Sequence, residues 1–231
     1  ALTLSTSALA FPVDLSSVEG RFENPVGGSK VQGVGTDTIT WGKPSHSQSG
    51  YKFTAPGDLP ATILDDSAFT LGTFTHINKP IKGEGITGVD LAIDLGFTGF
   101  GDVGSATGTF VFSHDETLNN APVESCLFWL PFVGCIWTTT SETGPVDDKV
   151  ILEDAFASSS EFQLGDNIYS LELIGFAGDN LSEFLTAEGS KNSIDLLARL
   201  NVTALPVPEP GTLALLGLGL RGLGAARRRS A

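Results

Sequence analysis

The sequence predicts an all-β fold, a β-sandwich of jelly-roll type, followed by a C-terminal hydrophobic helix. The 231 residues include 28 glycines and 12 prolines, and short stretches of alternating apolar and polar residues are separated by clusters of Gly, Pro, Asn and Asp. Residues 11–205 are numerous enough to form one domain with a buried core. Many short strands with frequent turns favour two packed sheets.

The clearest strand covers residues 89–95, where Val, Leu, Ile and Leu alternate with Asp90, Ala92 and Asp94. This period of two predicts one face on the core, with both aspartates facing solvent. The next strand places Phe110, Phe112 and His114 on one face. Further strands are predicted at residues 36–41, 51–54, 70–78, 149–152, 168–176 and 193–202, and a short helix or turn at residues 179–186.

The two ends of the chain resemble sorting signals. Residues 1–10 end in Ala8-Leu9-Ala10, and we expect them to be the remnant of a secretory signal peptide with Phe11 as the mature start. Residues 206–231 contain Pro208-Glu209-Pro210, an apolar run at residues 211–226, and Arg227-Arg228-Arg229. This order resembles the PEP-CTERM sorting tail of exported bacterial proteins, which an exosortase reads.

The apolar run predicts a temporary anchor in the inner membrane. Sixteen residues make a helix of about 24 Å, which falls short of the ~30 Å hydrocarbon core. Arg221 lies inside the run and makes permanent insertion costly. The basic end would stay cytoplasmic, so the body before Pro208 would be exported to the cell surface or extracellular matrix. The alternative is an amphipathic or buried helix of a soluble domain.

The charge balance narrows the range of partners. The chain has a net charge of −14. Without the tail, 9 basic and 26 acidic residues remain, a net charge of about −17. Such a body repels phosphates, which argues against nucleic acid or anionic lipid as partners and leaves divalent cations plausible.

Cys126 and Cys135 both lie in the part predicted to be exported, where thiols oxidise, so we expect a disulfide. Its ten-residue loop would contribute roughly 2.7 kcal/mol in the chain-entropy view. The loop is unusually apolar, and Trp129 and Trp137 lie in or beside it. They form a candidate contact patch for sugars or for another protein.

Four segments resemble the THxN family of PEP-CTERM proteins, whose body is similar to the choice-of-anchor K domain. They are Gly35-Thr36-Asp37-Thr38-Ile39-Thr40-Trp41-Gly42, Leu71-Gly72-Thr73-Phe74-Thr75-His76-Ile77-Asn78-Lys79-Pro80-Ile81, His114-Asp115-Glu116-Thr117 and Phe184-Leu185-Thr186-Ala187-Glu188. The resemblance spans most of residues 30–203. It implies a surface or matrix protein of a Gram-negative bacterium whose export accompanies exopolysaccharide production, and it implies no catalytic residues.

The motif Thr75-His76-Ile77-Asn78 has its own physical interpretation. In a strand, His76 and Asn78 share a face with Phe74, while Thr75 points the other way. Buried polar side chains require hydrogen-bond partners, so a structural cross-link to a neighbouring strand or loop is predicted. Metal binding through His46, His76 and His114 is the alternative, although no local spacing brings the three together.

No cofactor and no enzymatic activity are predicted. Adjacent carboxylates occur at Asp65-Asp66, Asp115-Glu116, Asp147-Asp148 and Glu153-Asp154. Paired carboxylates catalyse glycoside hydrolysis, but adjacent residues of a strand point to opposite faces, so none of these pairs forms a catalytic pair by its spacing. Surface charge is the favoured interpretation of these pairs, and Ca²⁺ ligation is the alternative, with Asp115, Glu116, Asp147 and Asp148 as weak candidates. Residues 99–104 match the Gly-x-Gly-x-x-Gly pattern but lead into a strand, which favours a hairpin.

Three functions are compatible with these observations. The favoured one is a non-catalytic, exported surface or matrix protein associated with exopolysaccharide and biofilm. The second is a carbohydrate-binding jelly-roll module with structural calcium. The third is a self-assembling extracellular subunit.

Overall fold

The computed structural model describes residues 9–116, 122–130, 134–142, 147–157 and 161–204, with the backbone alone for 122–130 and 134–142. These residues form β-strands and connecting turns, and none of them lies in a helix. The strands are β1 (Val13–Gly27), β2 (Thr38–Trp41), β3 (Ser49–Thr54), β4 (Ala61–Ile63), β5 (Phe69–Ile77), β6 (Ile86–Gly99), β7 (Asp102–Asp115), β8 (Pro122–Leu130), β9 (Gly134–Glu142), β10 (Asp148–Ala157), β11 (Phe162–Leu164), β12 (Asn167–Phe176), β13 (Glu183–Thr186) and β14 (Lys191–Ala204).

The strands build two six-stranded antiparallel sheets. The first sheet has the order β13-β10-β7-β6-β1-β4, and the second has the order β11-β12-β14-β5-β3-β2. The predicted all-β class is therefore confirmed. The jelly-roll type stays a prediction, and so does the C-terminal helix, because residues 205–231 lie outside the described residues.

Alternating burial explains the central strands. In β6, Val89, Leu91, Ile93 and Leu95 are buried, while Asp90 and Asp94 are partly exposed. β6 returns into β7 through a two-residue turn in which Phe100 and Gly101 have φ angles of 56° and 89°. Positive φ at both positions is typical of the turn that suits hairpin twist. The predicted hairpin at residues 99–104 is confirmed.

The core lies between the two sheets and is rich in aromatic rings. Phe74 of β5 contacts Tyr51, Phe112 and Phe176, with ring centroids 4.8, 5.0 and 5.8 Å away. These rings come from strands of both sheets and are fully or almost fully buried. The sheets are therefore joined by close aromatic packing, which stabilises the region around β5.

Residues 179–186 contain no helix. The chain turns before β13, and Glu183–Thr186 pair with β10 at the edge of the first sheet. Leu9 and Ala10, in the segment predicted to be a signal remnant, offer their carbonyl oxygens to Asn167 and Tyr169 of β12. Residues 1–8 lie outside the described residues.

β8 and β9 pair with each other in a separate two-stranded sheet. The backbone register sets Cys126 opposite Thr138 and Cys135 opposite Trp129, so the two cysteines are not directly paired across the ladder. The disulfide stays a prediction. Within the described ranges, no helix is long and apolar enough to cross a membrane.

A buried polar cluster as the candidate functional site

The inner face of β5 continues from aromatic to polar side chains near the end of the strand. Phe74, His76 and Asn78 share one face, as their alternation predicts, and all three are fully buried. Thr75 points to the other face, where its hydroxyl lies 2.8 Å from that of Ser193 on β14. β5 lies between β14 and β3, so the polar end of the motif is enclosed by its neighbours.

His76 and Asn78 contact the opposite sheet through Thr186 of β13. His76 Nδ1 lies 2.6 Å from Thr186 Oγ1, and Asn78 Nδ2 donates to the Thr186 carbonyl at 3.1 Å. The Thr186 hydroxyl also donates to the carbonyl of Asp148 at 3.3 Å. β5 belongs to the second sheet and β13 to the first, so these hydrogen bonds join the two sheets.

His114 of β7 faces His76 from the first sheet. The two rings lie 5.2 Å apart, centroid to centroid, at right angles. His114 Nδ1 shares a hydrogen bond with the Tyr51 hydroxyl, and its Nε2 lies 3.3 Å from Glu116 Oε2. Trp41 packs against both imidazoles, with centroids 6.1 and 5.4 Å away.

Carboxylates complete the cluster. Asp148, at the start of β10, is 1% exposed, and ligand atoms of His76, His114 and Asp148 all lie within 4.8 Å of one another. Some buried polar atoms of the cluster have no hydrogen-bond partner among the described residues. They are His76 Nε2, Asn78 Oδ1 and Glu116 Oε1.

The pKa shifts reflect burial and the crowding of like charges. Burial, followed by the proximity of His114, lowers the pKa of His76 to about 3, so its imidazole is neutral at pH 7. Burial first, and then the charge of Asp148, raises the pKa of Glu188. Burial likewise raises the pKa of Tyr51, with smaller contributions from Asp148 and Glu116.

The fold brings together some of the predicted residues and separates others. His46 is exposed and contacts its neighbour Ser45, and it does not belong to the buried group formed by His76, His114 and Asp148. Of the weak calcium candidates, Asp115 and Asp147 are exposed, whereas Glu116 and Asp148 belong to the cluster. Imidazoles beside carboxylates are the donor types that hold a divalent metal.

Sequence reasoning did not single out Tyr51, Thr186 or Glu188 as site residues. Thr186 and Glu188 lie in one of the segments that carry the family resemblance, which is the signal that could have found them. The tail residues Pro208, Glu209, Pro210 and Arg227–Arg229 lie outside the described residues, as do the side chains of Trp129 and Trp137.

A comparison with known protein families matches residues 206–230 to the PEP-CTERM protein-sorting motif. The chain carries a PEP-CTERM sorting tail. The motif indicates an exported protein that an exosortase processes and sorts to the cell surface. The comparison with curated proteins finds no match. The PEP-CTERM tail follows directly on β14, which ends at Ala204.

Proposed function

We propose that this PEP-CTERM protein is a non-catalytic component of the cell surface or extracellular matrix, associated with exopolysaccharide and biofilm. The observation that carries the proposal is the sorting motif at residues 206–230, which follows an acidic all-β body. Exosortase processing would release that body from its temporary anchor in the inner membrane. The negative charge favours hydration and solubility in a polysaccharide matrix.

The burial of the polar cluster supports a non-catalytic role. His76, His114 and Asp148 are 0%, 5% and 1% exposed. A substrate would have to reach these groups through the packed interface of two sheets, and an active site is usually an open cleft. We therefore assign the cluster to the stability of the body.

The THxN family and the choice-of-anchor K-like body are part of this proposal. The segment around His76 supports it, because the residues that define the motif make the hydrogen bonds between the sheets. In this view the motif of the THxN family stabilises the fold and takes no part in a reaction.

Fractionation of native material tests the proposal. We expect the body in the matrix fraction. Its intact mass should correspond to a chain that ends near residues 208–211, and any additional mass would identify the final anchor. Full-length protein found uncut in the cytosol would contradict it. Hydrolysis of a matrix glycan by the pure protein would contradict the non-catalytic part alone.

The hairpin β8–β9 is a candidate surface through which this matrix protein contacts a partner. Among the described strands it pairs only within itself, and an isolated two-stranded hairpin is marginally stable in water. Its sequence holds Trp129 and Trp137, whereas Trp41 is buried in the core. We propose that this hairpin contacts a partner, either a glycan, as in a carbohydrate-binding jelly-roll module with calcium, or another copy of the chain.

Two substitutions separate these partners. Trp129→Ala and Trp137→Ala should abolish binding on a glycan array if the partner is a sugar. They should abolish concentration-dependent sedimentation if the partner is a second copy. Phe156→Ala, at a residue that is 47% exposed on β10, is the matched control. Unchanged behaviour of both tryptophan variants in both assays would contradict a contact role for the hairpin.

A further inference from the structure

We propose that His76, His114 and Asp148 bind a divalent transition-metal ion of the Zn²⁺ class, and that this ion joins the two sheets. The site is distinct from the sorting tail and from the β8–β9 hairpin. Zinc binding at this site and the proposed function are independent of each other, so the failure of one leaves the other intact.

The three residues converge from different strands. His76 lies on β5 of the second sheet, while His114 and Asp148 lie on β7 and β10, which are neighbours in the first sheet. Their ligand atoms lie within 4.8 Å of one another. Tetrahedral ligation at about 2.1 Å sets donors about 3.4 Å apart, so the widest pair must close by at most about 1.4 Å. Side-chain rotation covers such a distance.

The hydrogen bonds of Thr186 prepare His76 as a ligand. The hydroxyl has one proton, and with that proton donated to the Asp148 carbonyl, Oγ1 accepts from His76 Nδ1–H. His76 Nε2 then carries a lone pair, and this atom is buried without a partner among the described residues. A metal-bound histidine is normally held in the same way, by a hydrogen bond at its other nitrogen.

A further carboxylate borders the pair of imidazoles. Glu116 Oε2 lies 3.3 Å from His114 Nε2, and Glu116 Oε1 is buried without a partner among the described residues. Burying carboxylate oxygens without hydrogen bonds is unfavourable, and a cation would compensate for it. Glu116 therefore lies at the edge of the proposed site, beside His114.

The donor set selects the class of metal. Ca²⁺ takes six to eight oxygen ligands, so two imidazoles disfavour it. Two histidines with a carboxylate suit Zn²⁺, and full enclosure is typical of structural zinc sites. The alternative is a polar pocket that holds ordered water, which also requires two to four polar partners.

Titration of the full chain with Zn²⁺ after treatment with a chelator tests the proposal. We expect one equivalent to bind by calorimetry. We also expect the midpoint of thermal unfolding to rise by about 5 to 10 °C when free Zn²⁺ exceeds Kd a hundredfold. Asp148→Asn and His114→Gln should weaken binding by about 100-fold or more. His46→Gln, at an exposed histidine, should bind as the wild type does.

Three results would overturn the site: no zinc uptake by the folded wild type, unchanged binding by the folded Asp148→Asn variant, or an equal loss in His46→Gln. If both cluster variants fail to fold, crystals of the wild type grown with Zn²⁺ decide the matter. An anomalous peak at the zinc edge between His76, His114 and Asp148 supports the proposal. Density for water alone at that position refutes it.

Discussion

Thr186 links several members of the buried cluster through hydrogen bonds. It is fully buried, its hydroxyl contacts both His76 and the Asp148 backbone, and its carbonyl accepts from Asn78. A buried polar atom that loses its only partner costs the full desolvation penalty, which exceeds the net gain from making one hydrogen bond. The geometry of His76 therefore depends on one threonine hydroxyl of the opposite sheet.

We predict that Thr186→Val destabilises the metal-free protein by about 1–3 kcal/mol. Valine preserves the shape of the side chain but leaves His76 Nδ1 without a partner. Urea denaturation in the presence of a chelator measures the change. Thr203→Val, at an exposed position of β14, is the matched control and should have little effect. Equal stabilities of the two variants would contradict the assigned role of Thr186.

The ion pair of Glu172 predicts how the stability of the protein depends on pH. Hydrogen bonds from Asn201 and then Arg199 lower the pKa of Glu172 in the folded state. A lowered pKa contributes stability above the unfolded value of about 4.3, and this contribution is lost as the pH falls below it. Because both partners of the ion pair are about two-fifths exposed, we expect Glu172→Gln to cost less than ~1 kcal/mol at pH 7.

The measurement compares free energies of unfolding of the wild type and Glu172→Gln between pH 7 and pH 3. The difference between them should shrink as the pH falls through the folded-state pKa of Glu172, because protonation removes the charge that Arg199 pairs with. A difference that grows as the pH falls would contradict the assigned contribution.

At the level of the strand, a bulge in β12 requires a glycine. The pairing of β12 with β14 shifts register between Leu173 and Gly175, and Gly175 has a φ of +132°. A Cβ at this position would lie 2.3 Å from the carbonyl oxygen of Leu181. That same oxygen accepts from Phe176 N at 2.8 Å, so the turn that leads to β13 packs directly onto the bulge.

We predict that Gly175→Ala destabilises the protein by at least about 2 kcal/mol, because it combines backbone strain with a clash against backbone. Gly57→Ala is the control, since a Cβ there meets no atom within 4 Å and its φ is not positive. The midpoint of urea unfolding reports both changes. If the two alanine variants have the same midpoint of urea unfolding, the bulge does not depend on glycine.

Bulges also explain which strands could be predicted from the sequence. β6 and β7 alternate without interruption in their pairing with each other, and their buried faces were predicted. In β1 the register shifts between Leu15 and Ser17, so burial moves from Val13 and Leu15 to Val18 and Phe22. That shift breaks the period of two, and no strand was predicted there.

The candidate site could be predicted only in part, and the reason differs from the register shift that hid β1. Local alternation places His76 and Asn78 on the same face of β5 as Phe74, and this was predicted, whereas the burial of His76 was not. The approach of His114, Asp148 and Thr186 depends on the order of strands in the first sheet and on how the sheets face each other. No spacing along the chain encodes these contacts, because strand order follows from the packing of the whole domain.

For the whole molecule, the described strands end before the sorting motif begins. β14 ends at Ala204, and the PEP-CTERM motif covers residues 206–230. We expect changes in the motif to alter delivery of the protein without altering the stability of the described strands, because these end at Ala204.

We predict that replacing Pro208, Glu209 and Pro210 together by alanine blocks exosortase processing. The mature protein should then keep its C-terminal peptide, as intact mass shows, and it should stay with the envelope because the apolar run at residues 211–226 remains attached. The thermal unfolding of the body should be unchanged. Asp58→Ala, which removes one exposed negative charge from the body, is the control and should be processed normally. Normal cleavage of the triple variant would show that the signature residues are not what the processing enzyme recognises in this chain.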